Sequence, residues 1–97
     1  MSKTELLVLL GGQQETLKRR YAVKSLAIFG SAARDALGAT SDVDLLVEFD
    51  TGPGFDGYMD LKFFLEELIG RQVDLVTRSG LRAELRARVE REAIHVA

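Results

Sequence analysis

The chain contains no cysteine, so it can form neither a disulfide framework nor a thiolate zinc site. Its one histidine, His95, excludes a multi-histidine metal cage. No apolar run approaches the roughly 18 residues of a membrane span. The run Leu6 to Leu10 is short, follows Glu5 and lacks a cleavage flank, so no signal peptide and a cytoplasmic location are expected. Nor is positive charge in excess. With 13 Lys and Arg against 15 Asp and Glu the net charge is -2, which leaves no strong footprint for polymeric nucleic acid, normally marked by a basic patch or stripe. Proline occurs once, and there is no internal repeat, low-complexity tract or long linker. A length of 97 residues suits one domain over residues 1–97 with one hydrophobic core.

What the chain does contain is concentrated between residues 25 and 47. Ser25-Leu26-Ala27-Ile28-Phe29 reads as a buried strand, and it ends at Gly30, a residue free to adopt unusual backbone angles. Ser31 follows with a hydroxyl and a backbone N–H suited to an anion. After a short helical segment, Asp42 and Asp44 open a second strand. Period-2 geometry sends both carboxylates to one face and Val43, Leu45 and Val47 to the other. Side chains two apart on a strand have Cα atoms about 6.5–7 Å apart, and flexible carboxylates so placed can converge on divalent cations about 3.5–4 Å from each other. Such a pair suits transfer of part of a nucleoside triphosphate, where Mg²⁺ neutralises the phosphates and helps hold the attacking oxygen in line. Gln72-Val73-Asp74-Leu75-Val76-Thr77 predicts a third strand with one acid in an otherwise apolar run, which makes Asp74 the candidate third carboxylate.

Topology brings these groups together. Leu61, Phe64, Leu65, Leu68 and Ile69 form a helical stripe, so strands two and three are joined by a helix and are expected to run parallel. Asp74 then lies at the same end as Asp42 and Asp44. With strand one antiparallel to strand two, which its short connection permits, Gly30 and Ser31 arrive at that end as well. A Rossmann-type site would lie beyond the carboxy ends of parallel strands, and neither G-x-G-x-x-G nor G-x-x-x-x-G-K-[ST] is present. The pattern predicts a helix over residues 4–20, weakened at Gly11-Gly12, strands over 25–30, 43–49 and 72–77, and helices over 32–37, 57–69 and 81–93. The fold class is α/β in the α+β sense: a small mixed three-stranded sheet packed with helices. The loop from Asp50 to Gly57 holds three glycines and the only proline. It cannot extend either neighbouring element and is expected to move over a bound substrate.

Gly30-Ser31, Arg34, the run Ser41-Asp42-Val43-Asp44-Leu45 and the later strand acid Asp74 together resemble the minimal nucleotidyltransferases of the DNA polymerase β-like superfamily. The resemblance covers nearly the whole chain, including the amino-terminal helix, the Gly52-Pro53-Gly54 loop and the charged carboxy-terminal helix. It implies a polymerase β-like fold in which Asp42, Asp44 and Asp74 are the catalytic acids and bind Mg²⁺ as two ions, with Asp74 also helping to activate the acceptor hydroxyl. Gly30, Ser31, Arg34 and Ser41 would bind the nucleotide, with ATP as substrate. It further implies an antitoxin that transfers AMP from ATP to a tyrosine hydroxyl of a partner HEPN-domain ribonuclease toxin. The chain departs from the family pattern at Asp35, where members often carry Gly after the Arg. An acid there weakens nucleotide binding unless it points to solvent or caps the short helix that follows.

Each feature has a plainer reading. A lone Asp-x-Asp is often solvated edge polarity, Gly30-Ser31 alone is only a turn, and Asp74 alone is a surface acid. Arg34 is as readily the partner of Asp35 or another nearby acid as a phosphate ligand. His95 reads as an incidental solvent-facing residue, Tyr21 and Tyr58 as partly buried packing groups. The alternating charges of Arg82, Glu84, Arg86, Arg88, Glu90, Arg91 and Glu92 read as a solvated helix face. Taken together, the acids favour a cation, because like charges gathered at one strand end repel without one. Two further functions fit the chain: a non-catalytic antitoxin that neutralises its toxin by stoichiometric binding, and nucleotidyl transfer to a small molecule or an RNA end.

Overall fold

The structure, a computed structural model, describes residues 1–96. Helix α1 (Lys3–Gly11) starts at Ser2, whose hydroxyl accepts the Glu5 N–H while the Glu5 carboxylate accepts the Ser2 N–H, a reciprocal capping box. The expected single helix over residues 4–20 is divided: α1 ends at Gly11-Gly12 and α2 (Gln14–Tyr21) begins afresh. Adjacent glycines make continuing the helix costly, and the break lets Leu6, Leu10 and Leu17 all bury fully against the sheet.

Strands β1 (Val23–Phe29), β2 (Val43–Phe49), β3 (Val73–Thr77) and β4 (Ile94–His95) form one sheet in the order β3-β2-β1-β4. The sheet therefore has four strands, where the sequence predicts three. β4 follows the last helix, α5 (Ala83–Glu92), and pairs antiparallel with β1, Ala27 opposite His95 and Ile28 opposite Ile94. The Val96 N–H extends that pairing to the Leu26 carbonyl at 2.8 Å. A strand of 2 residues is too short to show an alternating pattern, which is why the sequence conceals it. His95 is exposed, as expected, but within this strand.

β1 and β2 are antiparallel, with Phe29 opposite Asp44, and β2 and β3 are parallel, with Asp44 opposite Asp74. The parallel crossover is α4 (Gly54–Ile69), which buries Leu61, Leu65 and Ile69. One sheet face, carrying Leu26, Ile28, Val43, Leu45, Val47, Val73 and Leu75, packs against α1, α2 and α4 in the main core. The other face carries a much smaller cluster of Ala27, Leu46 and Val89, the last from α5. Asp44 and Asp74 fall on this second face by strand alternation, and Asp42 stands just before β2 begins. Coverage is thin there, and carboxylates can reach solvent.

In the parallel ladder Gln72 accepts from Val43, so Val73 and Leu75 direct their backbone groups to the outer edge. α4 meets both. The Glu66 carboxylate accepts the Val73 N–H at 3.0 Å and also pairs with Lys62 at 3.1 Å. The Tyr58 hydroxyl donates to the Leu75 carbonyl. Among the described residues no helix is long and apolar enough to cross a membrane.

Candidate active site

Gly30 opens the four-residue helix α3 (Gly30–Ala33) directly after β1, with a φ of 63°. Glycine is required there twice over. The left-handed backbone disfavours any side chain, and a Cβ would collide with Asp44 Oδ2. The turn and the strand acid are thus in van der Waals contact across the β1–β2 pair, and Ser31 is half-buried beside them. Amides in the first turn of a helix have no partner within it, so the Gly30-Ser31 backbone offers donors at the acidic end of the sheet.

The three acids are brought together as the topology requires. Asp42 and Asp74 are exposed and Asp44 is half-buried between them. Burial pushes the Asp44 carboxyl above its ordinary value of 3.8; the charges of Asp74 and Asp42 and a hydrogen bond with Asp74 add to the rise, and Arg34 offsets part of it. Asp44 therefore holds its negative charge reluctantly, and a cation would relieve it. Among the described residues no group of three or more His, Cys, Asp or Glu side chains is placed to hold a metal ion by itself. Mg²⁺ is ordinarily held by one or two carboxylates, waters and substrate phosphates rather than an all-protein cage, so an open set of oxygen donors fits that ion.

The remaining candidates have more local partners. Arg34 forms an ion pair with Glu92 of α5, so its local acid partner is not Asp35. Its charge still reaches Asp44. Ser41 Oγ accepts the Gly38 N–H at 3.0 Å and closes the turn leading into Asp42. Arg71 clamps the same turn by donating to the carbonyls of Gly38 at 2.7 Å and Ser41 at 3.3 Å. Nothing in the sequence marked Arg71, because its partners are backbone oxygens thirty or more residues away.

Asp35 neither caps α3 nor faces the acids. Its carboxylate accepts the Lys3 N–H at 2.7 Å, at the start of α1, where negative charge favours the helix terminus. It has a φ of 57°, a left-handed conformation that Asp tolerates better than most side chains and Gly best. That backbone explains why a glycine fits the same place.

The loop after β2 requires a correction. A cavity of about 790 Å³ lies at the carboxy ends of β2 and β3, walled by Phe49, Thr51, Phe55, Tyr58 and Arg78. The Gly52-Pro53-Gly54 loop belongs to this cavity. It therefore sits beyond the far end of β2, about 17 Å along the strand from Asp44 at strand rise, too far to close over a substrate bound at the acids. The expectation failed because chain order places the loop after the strand that begins the site, and a strand carries its two ends apart.

The Nucleotidyltransferase domain family matches residues 12–96. The protein adenylyltransferase MntA of Thermococcus cleftensis is 35% identical over 92 residues, which cover 95% of this chain and 93% of that protein. A solved structure provisionally identified as a minimal nucleotidyltransferase superposes with a TM-score of 0.84 at 37% identity, covering 97% of this chain and 95% of the other. A chain of a toxin–antitoxin complex solved with AMP-PNP shares the fold, with a TM-score of 0.73 at 19% identity and coverage of 90% and 72%.

Proposed function

The chain belongs to the Nucleotidyltransferase domain family, and from that premise we propose that it is a Mg²⁺-dependent protein adenylyltransferase, an antitoxin that moves AMP from ATP to a tyrosine hydroxyl of a HEPN-domain toxin. The observation that carries the reading is the crowding of Asp44 between Asp42 and Asp74 directly against Gly30. A half-buried carboxylate with two like-charged neighbours calls for a cation, and the adjacent turn offers N–H groups to the anion that the cation accompanies. The name of the Thermococcus relative supports protein as the acceptor class. The AMP-PNP complex of the fold neighbour is compatible with an adenine nucleotide and a toxin partner.

In this reading Asp42 and Asp44 hold Mg²⁺ and Asp74 completes the acidic set. Mg²⁺ would supply charge neutralisation on the triphosphate and on the departing pyrophosphate. The amides of Gly30 and Ser31 hold phosphate oxygens. Asp74, exposed on the outermost long strand, accepts the proton of the tyrosine hydroxyl as its oxygen forms a bond to the α-phosphorus and the bond to pyrophosphate breaks. Arg34 fixes α5 to the phosphate turn through Glu92, and Ser41, gripped with Gly38 by Arg71, sets the approach of Asp42. Asp35, the departure from the family pattern, is engaged with the Lys3 N–H at the start of α1, which supports an unobstructed phosphate turn over the non-catalytic alternative.

Intact-mass spectrometry of the chain and its partner toxin, incubated with Mg²⁺ and each nucleoside triphosphate, tests the proposal. The expected result is a metal-dependent gain of AMP mass on the toxin, absent with Asp44→Asn. A tight complex with no added mass under any nucleotide would refute the transferase reading in favour of stoichiometric neutralisation.

A further inference from the structure

Helix α4 turns two different faces outward and inward. Leu61, Leu65 and Ile69 are buried, and at 3.6 residues per turn Phe55, Met59 and Phe63 line up away from them. Phe55 is 76% exposed and Phe63 57%, with half-buried Met59 between them. The first turns of the helix thus carry an uncovered apolar ridge. Asp56, Asp60 and Glu67 run along one flank of it, within about 40° of one another around the helix axis. Among the described residues none of these three acids has an ion-pair partner. On the other flank Lys62 is already paired with Glu66. Between α4 and α2 lies a hollow of about 610 Å³ with Phe63, Phe64 and Tyr21 as apolar walls and Asp60 and Glu67 among its lining; Arg20 stands in it with its guanidinium 5.5 Å from the Tyr21 ring centre.

We propose that this face of α4 is the docking surface for a basic amphipathic helix of the partner protein, with an apolar side chain against Phe63 and Lys or Arg side chains opposite Asp60 and Glu67. The inference rests on the reading above for the partner's existence and adds the surface that receives it. Charge selects the occupant. A second copy docking through the same face would set acids against acids, whereas a cationic helix neutralises acids that otherwise have no partner. Asp60 and Glu67 are about 10.5 Å apart along α4, so basic residues two turns apart on the incoming helix meet both. The ridge begins at the end of the sheet remote from Asp42, Asp44 and Asp74, and a docked helix leaves the acids open to nucleotide.

The test is calorimetric titration of the full-length chain with its co-expressed partner toxin, for the wild type, Phe63→Ser and the double reversal Asp60→Lys/Glu67→Lys. All three positions are exposed, so thermal melts are expected to match the wild type. Each variant should bind at least about tenfold more weakly, and the reversal should flatten the salt dependence of binding. Unchanged affinity in both variants, or no binding by the wild type, overturns the docking surface even where AMP transfer proceeds. Weakened binding in both variants with no AMP transfer in any sample supports the surface while removing the transferase reading. Self-association of the wild type that Phe63→Ser abolishes, with toxin binding unaffected, overturns the proposal in favour of a second copy.

Discussion

Gly30→Ala tests whether the phosphate turn and the acids form one structure. The backbone at Gly30 has a φ of 63°, a conformation that costs an L-residue about 1–2 kcal/mol. The added Cβ would also run into Asp44 Oδ2, with the Asp44 Cγ and Cβ at 3.3 and 3.5 Å behind it. Asp44 cannot retreat by moving its backbone, which is held in a central strand opposite Phe29 on one side and Asp74 on the other. Either its carboxylate swings away from Asp42 and Asp74, or the turn at α3 shifts; both separate the groups proposed to bind the nucleotide. Gly70→Ala is the matched control. Gly70 has a φ of 76° with nothing within 4 Å of where its Cβ would stand, so it reports backbone strain alone. At about 4–8 °C per kcal/mol for a domain of this size, Gly70→Ala should lower the melting temperature by about 4–16 °C, and Gly30→Ala by more. In the intact-mass assay at a temperature where both variants are folded, Gly70→Ala should transfer AMP at the wild-type rate. Gly30→Ala should be slower by about a hundredfold or more, the scale set by misplacing reacting groups by an ångström. Equal melting temperatures for the two variants, with wild-type transfer by Gly30→Ala, would refute the reasoning.

Asp44→Asn should raise the melting temperature of the metal-free chain at pH 7 while abolishing transfer. The folded carboxyl lies above its ordinary value of 3.8, so the metal-free wild type should lose stability relative to the variant as pH rises from that value through the raised one. For the same reason Mg²⁺ affinity, followed by titration, should weaken as pH falls through the raised value; a pH-independent affinity would contradict the assignment. Glu66 is shifted the other way, held down first by the Val73 N–H and then by Lys62, so its stabilisation should be present above the ordinary carboxyl value of 4.5 and lost as pH falls through the lowered one. Glu66→Gln should flatten that part of the stability profile. Tyr58→Phe leaves the Leu75 carbonyl without its donor and should cost about 1 kcal/mol in denaturant unfolding, with AMP transfer unchanged. Asp35→Gly trades a helix-terminus contact for a relaxed left-handed backbone. It should leave the transfer rate within about twofold of wild type, whereas Asp35→Ala, losing the contact and keeping the strain, should melt lower than either.

The acidic end of the sheet was legible in the sequence because its groups obey short-range rules. Strand alternation alone put Asp42 and Asp44 on one face, and the apolar stripe of α4 forced β3 parallel to β2, which set Asp74 beside Asp44. What the sequence concealed depends on partners remote along the chain. Arg34 joins Glu92, Asp35 reaches Lys3, and Arg71 holds the turn before Asp42. Each is a charged residue whose sequence neighbours give no hint of its direction. β4 was hidden by length, and the position of the Gly52-Pro53-Gly54 loop was hidden because its composition describes mobility without location.

The hydrogen bonds from Tyr58 and Glu66 to β3 have a consequence for behaviour in solution. An open strand edge is a template on which another chain can add a strand, the first step toward domain swapping and fibrous aggregation. Here the outward groups of Val73 and Leu75 are engaged by side chains from α4, while the opposite edge is a strand of only 2 residues. Neither margin offers a long row of free donors and acceptors. A sheet of this kind is biased against indiscriminate strand addition, so its associations are left to side-chain surfaces, where sequence can choose the partner.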